Sequence, residues 1–481
     1  METTVEKRAS WSGSVAFVLA AAASAIGLGN LWRFPYLAAQ YGGGMFIAIY
    51  VVLVATLGFT LMVTEIAIGR KTRQSQLTAY SRLHKGWGFI GVLGTVIPIL
   101  ITPYYCVIGG WVLYYFKVYA QMAFTGVNVM GEAAANSGEV FSSFISAPFL
   151  PFGYGLVFIA ACAAVIVMGV KNGIEKSNLV MMPILFLMAI ALALYVAFLP
   201  GSGEGIKYYL VPNLDCFRAA DGSFSGALLG KTVLGAMGQM FYSLSLAMGI
   251  MVTYGSYTRK GDSIERCVRR IEIFDTLIAL IAGFMIIPVV YMFAVKTGTD
   301  VKEAMSAGPG LMFITLPKVF ATLGAVGHWV GMGFFLLVIF AAATSAISMM
   351  EACVASICDL LKVERLPATF FMCSLVMFLS TFSAIGYGPW ADIKLFGMQF
   401  LDFFDFITNS AMMPVVAVAT CVFVGWVLGP RSVIDECEAG GQTLAPKYAY
   451  SLMVKYLAPA LLTVLLVSEV CRAMGIGGWK I

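Results

Sequence analysis

The feature that most constrains this chain is the recurrence, along its whole length, of apolar runs almost free of charge. Each is at least close to the roughly 20 residues a helix needs to cross a hydrocarbon layer about 30 Å thick. Eleven are read, at 11–37, 42–69, 88–116, 153–170, 177–199, 229–257, 272–295, 328–358, 366–386, 403–429 and 451–471. Only 11% of the 481 residues are charged and 60% are hydrophobic, too few charges to solvate a soluble body of that size. The runs are apolar all round rather than alternating, so they are helices and not barrel strands. The expectation is an all-α membrane protein of 11 transmembrane helices.

Lys and Arg crowd the N-terminus and alternate loops, among them Arg70, Lys71 and Arg73, then Lys171 and Lys176, then Arg259, Lys260, Arg266, Arg269 and Arg270. Positive residues stay inside, so the N-terminus is expected in the cytoplasm and, after an odd number of spans, the C-terminus outside. The first run lacks a small-residue cleavage site and is read as a retained span rather than a signal peptide. An apolar stretch at 300–325, containing AGPGLMFITLP, is too long for a connector and is expected to form an outer lid hairpin. The net charge of +5 is a topology signal with no soluble part to bind nucleic acid. The ten cysteines lie mostly inside apolar runs without CxxC spacing, which argues against disulfides and a metal cluster. Nothing in the sequence speaks to an oligomeric state.

Arg33, Glu65, Asp275, Glu351, Asp359, Asp402 and Asp405 fall within or at the edge of these runs. Each needs a partner or a water-filled path; for Asp359 and Asp402 a place at a span end, snorkelling to water, is an equal alternative. Gly27 and Gly29 weaken the first span beside the polar Asn30, which favours local unwinding. Unwinding frees carbonyls for a hard cation and helix N-termini for a carboxylate. The competing reading is that small residues simply let helices pack closely. Likewise Ser243, Ser245, Thr344 and Ser345 either join Asn30 and Asp275 as cation ligands or bond their own helix carbonyls four residues back. The sixth run carries SLSLAMG, five spans after AIGLGN in the first, the pattern of two interrupted helices in an inverted repeat.

The string SWSGSVAFVLAAAASAIGLGNLWRFPYLAAQYGGGMF closely resembles the first span of the neurotransmitter:sodium symporter family, and GQMFYSLSLAMG, AAATSAIS and LDFFDF resemble its spans 6, 8 and 10. The resemblance implies an inverted 5+5 repeat with unwound spans 1 and 6. It divides the chain into a cytoplasmic N-terminus (1–10), a first repeat (11–199), an extracellular loop (200–228), a second repeat (229–429), and a cytoplasmic loop with span 11 (430–481). It further implies a first sodium site from Ala25, Asn30, Ser243, Asp275 and the substrate carboxylate, and a second from Ala23, Ile26, Ala341, Thr344 and Ser345. The substrate pocket maps onto Ser24, Ala25, Leu28, Gly29, Ile101, Tyr105, Tyr242, Ser245, Met248, Ser348 and Met349. An outer gate is implied from Arg33 and Asp405 above Tyr105 and Tyr242, and an inner gate from Arg8 and Asp359 with Trp11, Ser256 and Tyr257. The Gly173 to Pro183 spacing resembles a helix-breaking motif at the cytoplasmic end of span 5.

Three positions refine what the resemblance implies. Gly27 stands where monoamine carriers place Asp, which favours substrates that bring their own carboxylate. The resemblance implies two sodium ions; Asp275 stands where many relatives have Asn, and Ala279 where chloride-dependent ones have Ser, so no chloride requirement is expected. Met248, Met349 and Ile101 make an adaptable apolar wall suited to hydrophobic, including aromatic, L-amino acids. The expected function is a sodium-coupled amino-acid importer in the inner membrane. The alternatives are a same-fold symporter for another solute and a non-transporting sensor. An enzyme is disfavoured, with only His84 and His328 and no nucleophile motif.

Overall fold

A computed structural model describes residues 9–127, 137–219, 221–305 and 308–473, and among them only isolated bridges interrupt an all-helical chain. Among the described residues nine helices are long and apolar enough to cross a membrane: Gly44–Thr72, Lys85–Thr125, Leu150–Val167, Val170–Ala197, Ile264–Thr297, Ala325–Leu361, Arg365–Ile385, Phe400–Leu428 and Lys447–Arg472. They are spans 2, 3, 4, 5, 7, 8, 9, 10 and 11. Span 1 is a pair, Ser14–Ala25 and Gly29–Gln40, bent by 55°. The run expected as span 6 is likewise two helices, Gly226–Ser243 and Ile250–Ser256, and does not pass as one continuous crossing.

The two breaks have different causes. In span 1 the backbone turns extended at Ile26 (ψ 98°). A Cβ at Gly27 would sit 2.7 Å from Ser345 Oγ and 2.9 Å from Tyr105 Oη, and one at Gly29 would lie 2.6 Å from the Tyr242 ring. Close packing and unwinding, posed above as competing readings, thus coincide at the same glycines. In span 6 the turn is left-handed at Ser245 (φ 53°), Ala247 (φ 61°) and Gly249 (φ 76°). The two non-glycine positions each cost about 1 kcal/mol or more. Glu65 of span 2 offsets that cost by accepting the Ala247 N–H at 2.7 Å.

Span 8 packs along span 3, and span 2 against the inner half of span 6, so both breaks face a common centre lined by spans 3 and 8. Above them, the 300–325 stretch folds into Val301–Ala304 and the apolar helix Leu311–Thr322. Phe313 anchors it in rings from spans 3 and 8, 5.9 Å from Trp111, 5.0 Å from Tyr115 and 6.1 Å from Phe335. Span 5 begins with a π-type turn, Val170–Glu175, after Gly169 at φ +84°, so its first turn is irregular where the Gly173 to Pro183 spacing begins.

Candidate transport site

Asp275 of span 7 is fully buried and sits at the hub of a polar cluster. Its carboxylate accepts from Asn30 Nδ2 at 2.8 Å, from Ser243 Oγ at 2.8 and 3.0 Å, and from Tyr50 Oη at 3.1 Å. Asn30 Nδ2 also reaches Ser243 Oγ at 2.9 Å, while its Oδ1 accepts the Gly27 N–H at 3.1 Å. Three of the residues expected at the first cation site are therefore in mutual contact. Tyr50 is an addition; lying in an apolar run, it reads in sequence as an ordinary core aromatic.

The hydroxyls expected at the second site divide between the two readings. Thr344 bonds within span 8, to the carbonyls of Phe340 (3.0 Å) and Ala341 (3.1 Å). Ser345 instead crosses to span 1, donating to the carbonyls of Ser24 (3.1 Å) and Ile26 (3.3 Å). The freed carbonyls at the break of span 1 thus face Ser345 one residue beyond Thr344. Ser245 also donates to the Ser24 carbonyl, at 3.1 Å, tying the two breaks together.

Between the breaks lies a cavity with an empty volume of about 360 Å³. Of the eleven expected pocket residues, Ser24, Ala25, Leu28, Gly29, Ile101, Tyr105, Tyr242, Ser245, Met248 and Met349 line it. Ser348 does not: it donates to the Thr344 carbonyl at 2.9 Å and accepts from Tyr254 Oη at 2.8 Å. Its place one residue before Met349 turns it away from the helix face that Ser345 and Met349 share. Gly27, Asn30, Ser243, Ile250 and Ser345 complete the wall. The cavity is two-ended. Polar groups cluster at the broken helices, where Tyr105 Oη accepts the Leu28 N–H at 3.2 Å and the buried Ser24 Oγ has no hydrogen-bond partner. Ile101, Met248, Ile250 and Met349 form the apolar side.

At the outer passage Arg33 and Asp405 are not paired directly. Asp405 Oδ1 accepts from Tyr104 Oη at 2.9 Å and from Asn409 Nδ2 at 2.6 Å. Arg33 makes a long 3.5 Å contact to the Gly238 carbonyl and stands 5.7 Å above the Tyr242 ring. At the inner end Trp11 is fully buried, donates to the Tyr254 carbonyl at 3.1 Å, and packs edge-on against Tyr254 and Tyr257. Arg8 lies outside the described residues; Asp359 accepts the Ser75 N–H at 2.6 Å. Ser256 is buried and its carbonyl accepts from Arg73 at 3.2 Å. Tyr257 Oη donates to Glu351 at 2.8 Å, and Glu351 forms a two-pronged pair with Arg365. Glu351 stood out in sequence as an ionisable residue in an apolar span, but its partner fourteen positions on did not.

A family model described as the sodium:neurotransmitter symporter family matches residues 8–129 and 154–477. A sodium-dependent transporter of Bacillus subtilis, YhdH, is 34% identical over 457 residues, covering 94% of this chain and 96% of that one. The human sodium- and chloride-dependent GABA transporter 2 is 26% identical over 471 residues, covering 90% and 75%. Among solved structures, MhsT in complex with L-phenylalanine superposes with a TM-score of 0.82 at 30% identity, over 96% of this chain and all of that one.

Proposed function

The chain belongs to the sodium:neurotransmitter symporter family, a multi-pass, sodium-dependent symporter, and from that premise we propose that it imports hydrophobic L-amino acids, aromatic ones included. The observation that carries this reading is the two-ended cavity. Freed backbone groups, Tyr105 and the Asn30–Ser243–Asp275 cluster suit a carboxylate and a cation, while the methionine and isoleucine side suits an apolar side chain. That MhsT holds L-phenylalanine supports the aromatic part of the range. The contact distances around Gly27 also support it: an Asp there, as monoamine carriers have, would need Ser345 or Tyr105 to move.

In this reading two sodium ions travel with each substrate, one held by Asn30, Ser243, Asp275, the Ala25 carbonyl and the substrate carboxylate, the other by Ala23, Ile26, Ala341, Thr344 and Ser345. Asp275 supplies the negative charge that chloride supplies in other members, a role favoured by its three hydrogen-bond donors and by the buried Ala279 one turn on. Two ions moving down 100 mV and a tenfold gradient deliver about 7 kcal/mol, enough for roughly 10⁵-fold accumulation. Spans 1, 2, 6 and 7 rock against the others, with the N-terminus cytoplasmic and the chain in the inner membrane.

The test is uptake of labelled leucine and tryptophan into proteoliposomes with an inward sodium gradient. Sodium-driven accumulation that persists in gluconate, and is lost in Asp275→Ala, is the expected result. Accumulation by Asp275→Ala with an unchanged sodium dependence would remove that residue from the site, and binding without accumulation would favour a sensor.

A further inference from the structure

The gate arginine has a second carboxylate within its surroundings. A cavity with an empty volume of about 330 Å³ opens beside the outer passage, and Arg33 shares its wall with Glu469 of span 11, along with Gly238, Asn409 and Ser410. Only 16% of the Glu469 side chain is exposed, and its ion-pair partner among the described residues is the more exposed Arg472, at 3.4 Å and one helical turn on. Tyr41, at the outer end of span 1, lies in the combined field of Arg33, Arg472 and Glu469.

A guanidinium beside a low-dielectric core is not held by one long carbonyl contact and a ring face; it needs a countercharge. Asp405 is not paired with Arg33 here: Tyr104 and Asn409 both bond its Oδ1, and neither reaches Oδ2, the oxygen a transferred guanidinium would meet. Glu469 has the lone pairs to spare, faces the same cavity, and stands on a helix outside the two repeats. Gly238 leaves the arginine room to lie along span 6: a Cβ there would be 3.4 Å from Arg33 Nη2.

We infer that Glu469 is the resting counter-ion of Arg33, and that the outer passage closes by transfer of the guanidinium across this cavity from Glu469 to Asp405. Glu469 is then a positioning residue that holds the passage open until substrate is in place. The inference rests on the outer-gate reading of Arg33 and Asp405.

The experiment uses the full chain in proteoliposomes, with Cys216 and Cys471 replaced by serine and a single reporter, Ser410→Cys, in the cavity wall. The rate of its modification by a membrane-impermeant thiol reagent in sodium reports the openness of the passage whatever the substrate. Glu469→Gln is expected to release Arg33 toward Asp405 and slow modification about fivefold, a change of the size a partly screened charge contact makes. Glu469→Asp should restore the rate, and in an Asp405→Asn background, where the arginine has no destination, Glu469→Gln should have no effect. An unchanged rate, or the same slowing in both backgrounds, overturns the proposal. Failure of the gate reading looks different: Asp405→Asn alone would then leave the dissociation rate of tritiated leucine at the wild-type value.

Discussion

The two ends of the central passage are closed by different kinds of contact. At the inner end the charges are committed: Glu351 has no exposed surface and holds Arg365 with two bonds, Tyr257 adds a third, and the Trp11 ring fills the gap beside them. At the outer end Arg33 and Asp405 face the same route, Asp405 is open to solvent, and each is bonded to a neighbour instead of to the other. A buried, fully partnered seal is costly to open one bond at a time, whereas partly exposed charges held by single contacts change partners at less cost. The difference teaches that the inner closure works by packing and the outer one by a choice of partner.

Loss of Glu351 should have the largest effect. Glu351→Ala leaves the Arg365 charge uncompensated, on the order of 3–5 kcal/mol against the sealed state, so sodium-dependent leucine affinity should fall more than about 100-fold, with a rise in thiol accessibility from the cytoplasmic side. Trp11→Phe loses the bond to the Tyr254 carbonyl and part of the ring volume; a cost of about 1–2 kcal/mol should weaken leucine binding roughly tenfold. Tyr257→Phe removes one hydroxyl bond to Glu351, about 1 kcal/mol, and should produce a fivefold change in the same assay. Asp405→Asn should leave cytoplasmic accessibility within about twofold of wild type, because no ion pair at the outer end supports the inner one. An inner-side change as large as that of Glu351→Ala would show that the two closures are one mechanically linked unit.

Most of the span pattern and most of the central cavity were legible in the sequence, because both are written in local terms. Charge-free length marks crossings, and Gly27, Gly29 and Asn30 mark a place where a helix is weak. Partnerships made through backbone were not legible. Glu65 advertised itself as a carboxylate in an apolar run, yet its partner is the N–H of Ala247, a group every residue possesses. Tyr50 was hidden for the opposite reason, since an aromatic in a membrane helix carries no mark distinguishing a hydroxyl bonded to Asp275 from one at a lipid interface. Ser348 was misplaced because motif likeness assigns neighbours together, whereas a helix turns by about 100° per residue and sends it to Tyr254. Glu469 escaped notice at the end of the last span, where a charge is ordinary.

The polar end of the cavity joins main chain exposed where spans 1 and 6 stop being helical to the Asn30–Ser243–Asp275 cluster, and the apolar side is made of side chains alone. Main-chain atoms are the same whatever residue occupies the position. Substitution on the apolar side can therefore redraw which side chains the cavity accepts while the polar end stays as it is. Diet can drift among descendants of such a protein without loss of its power supply, and engineering a new selectivity should begin at Ile101, Met248, Ile250 and Met349.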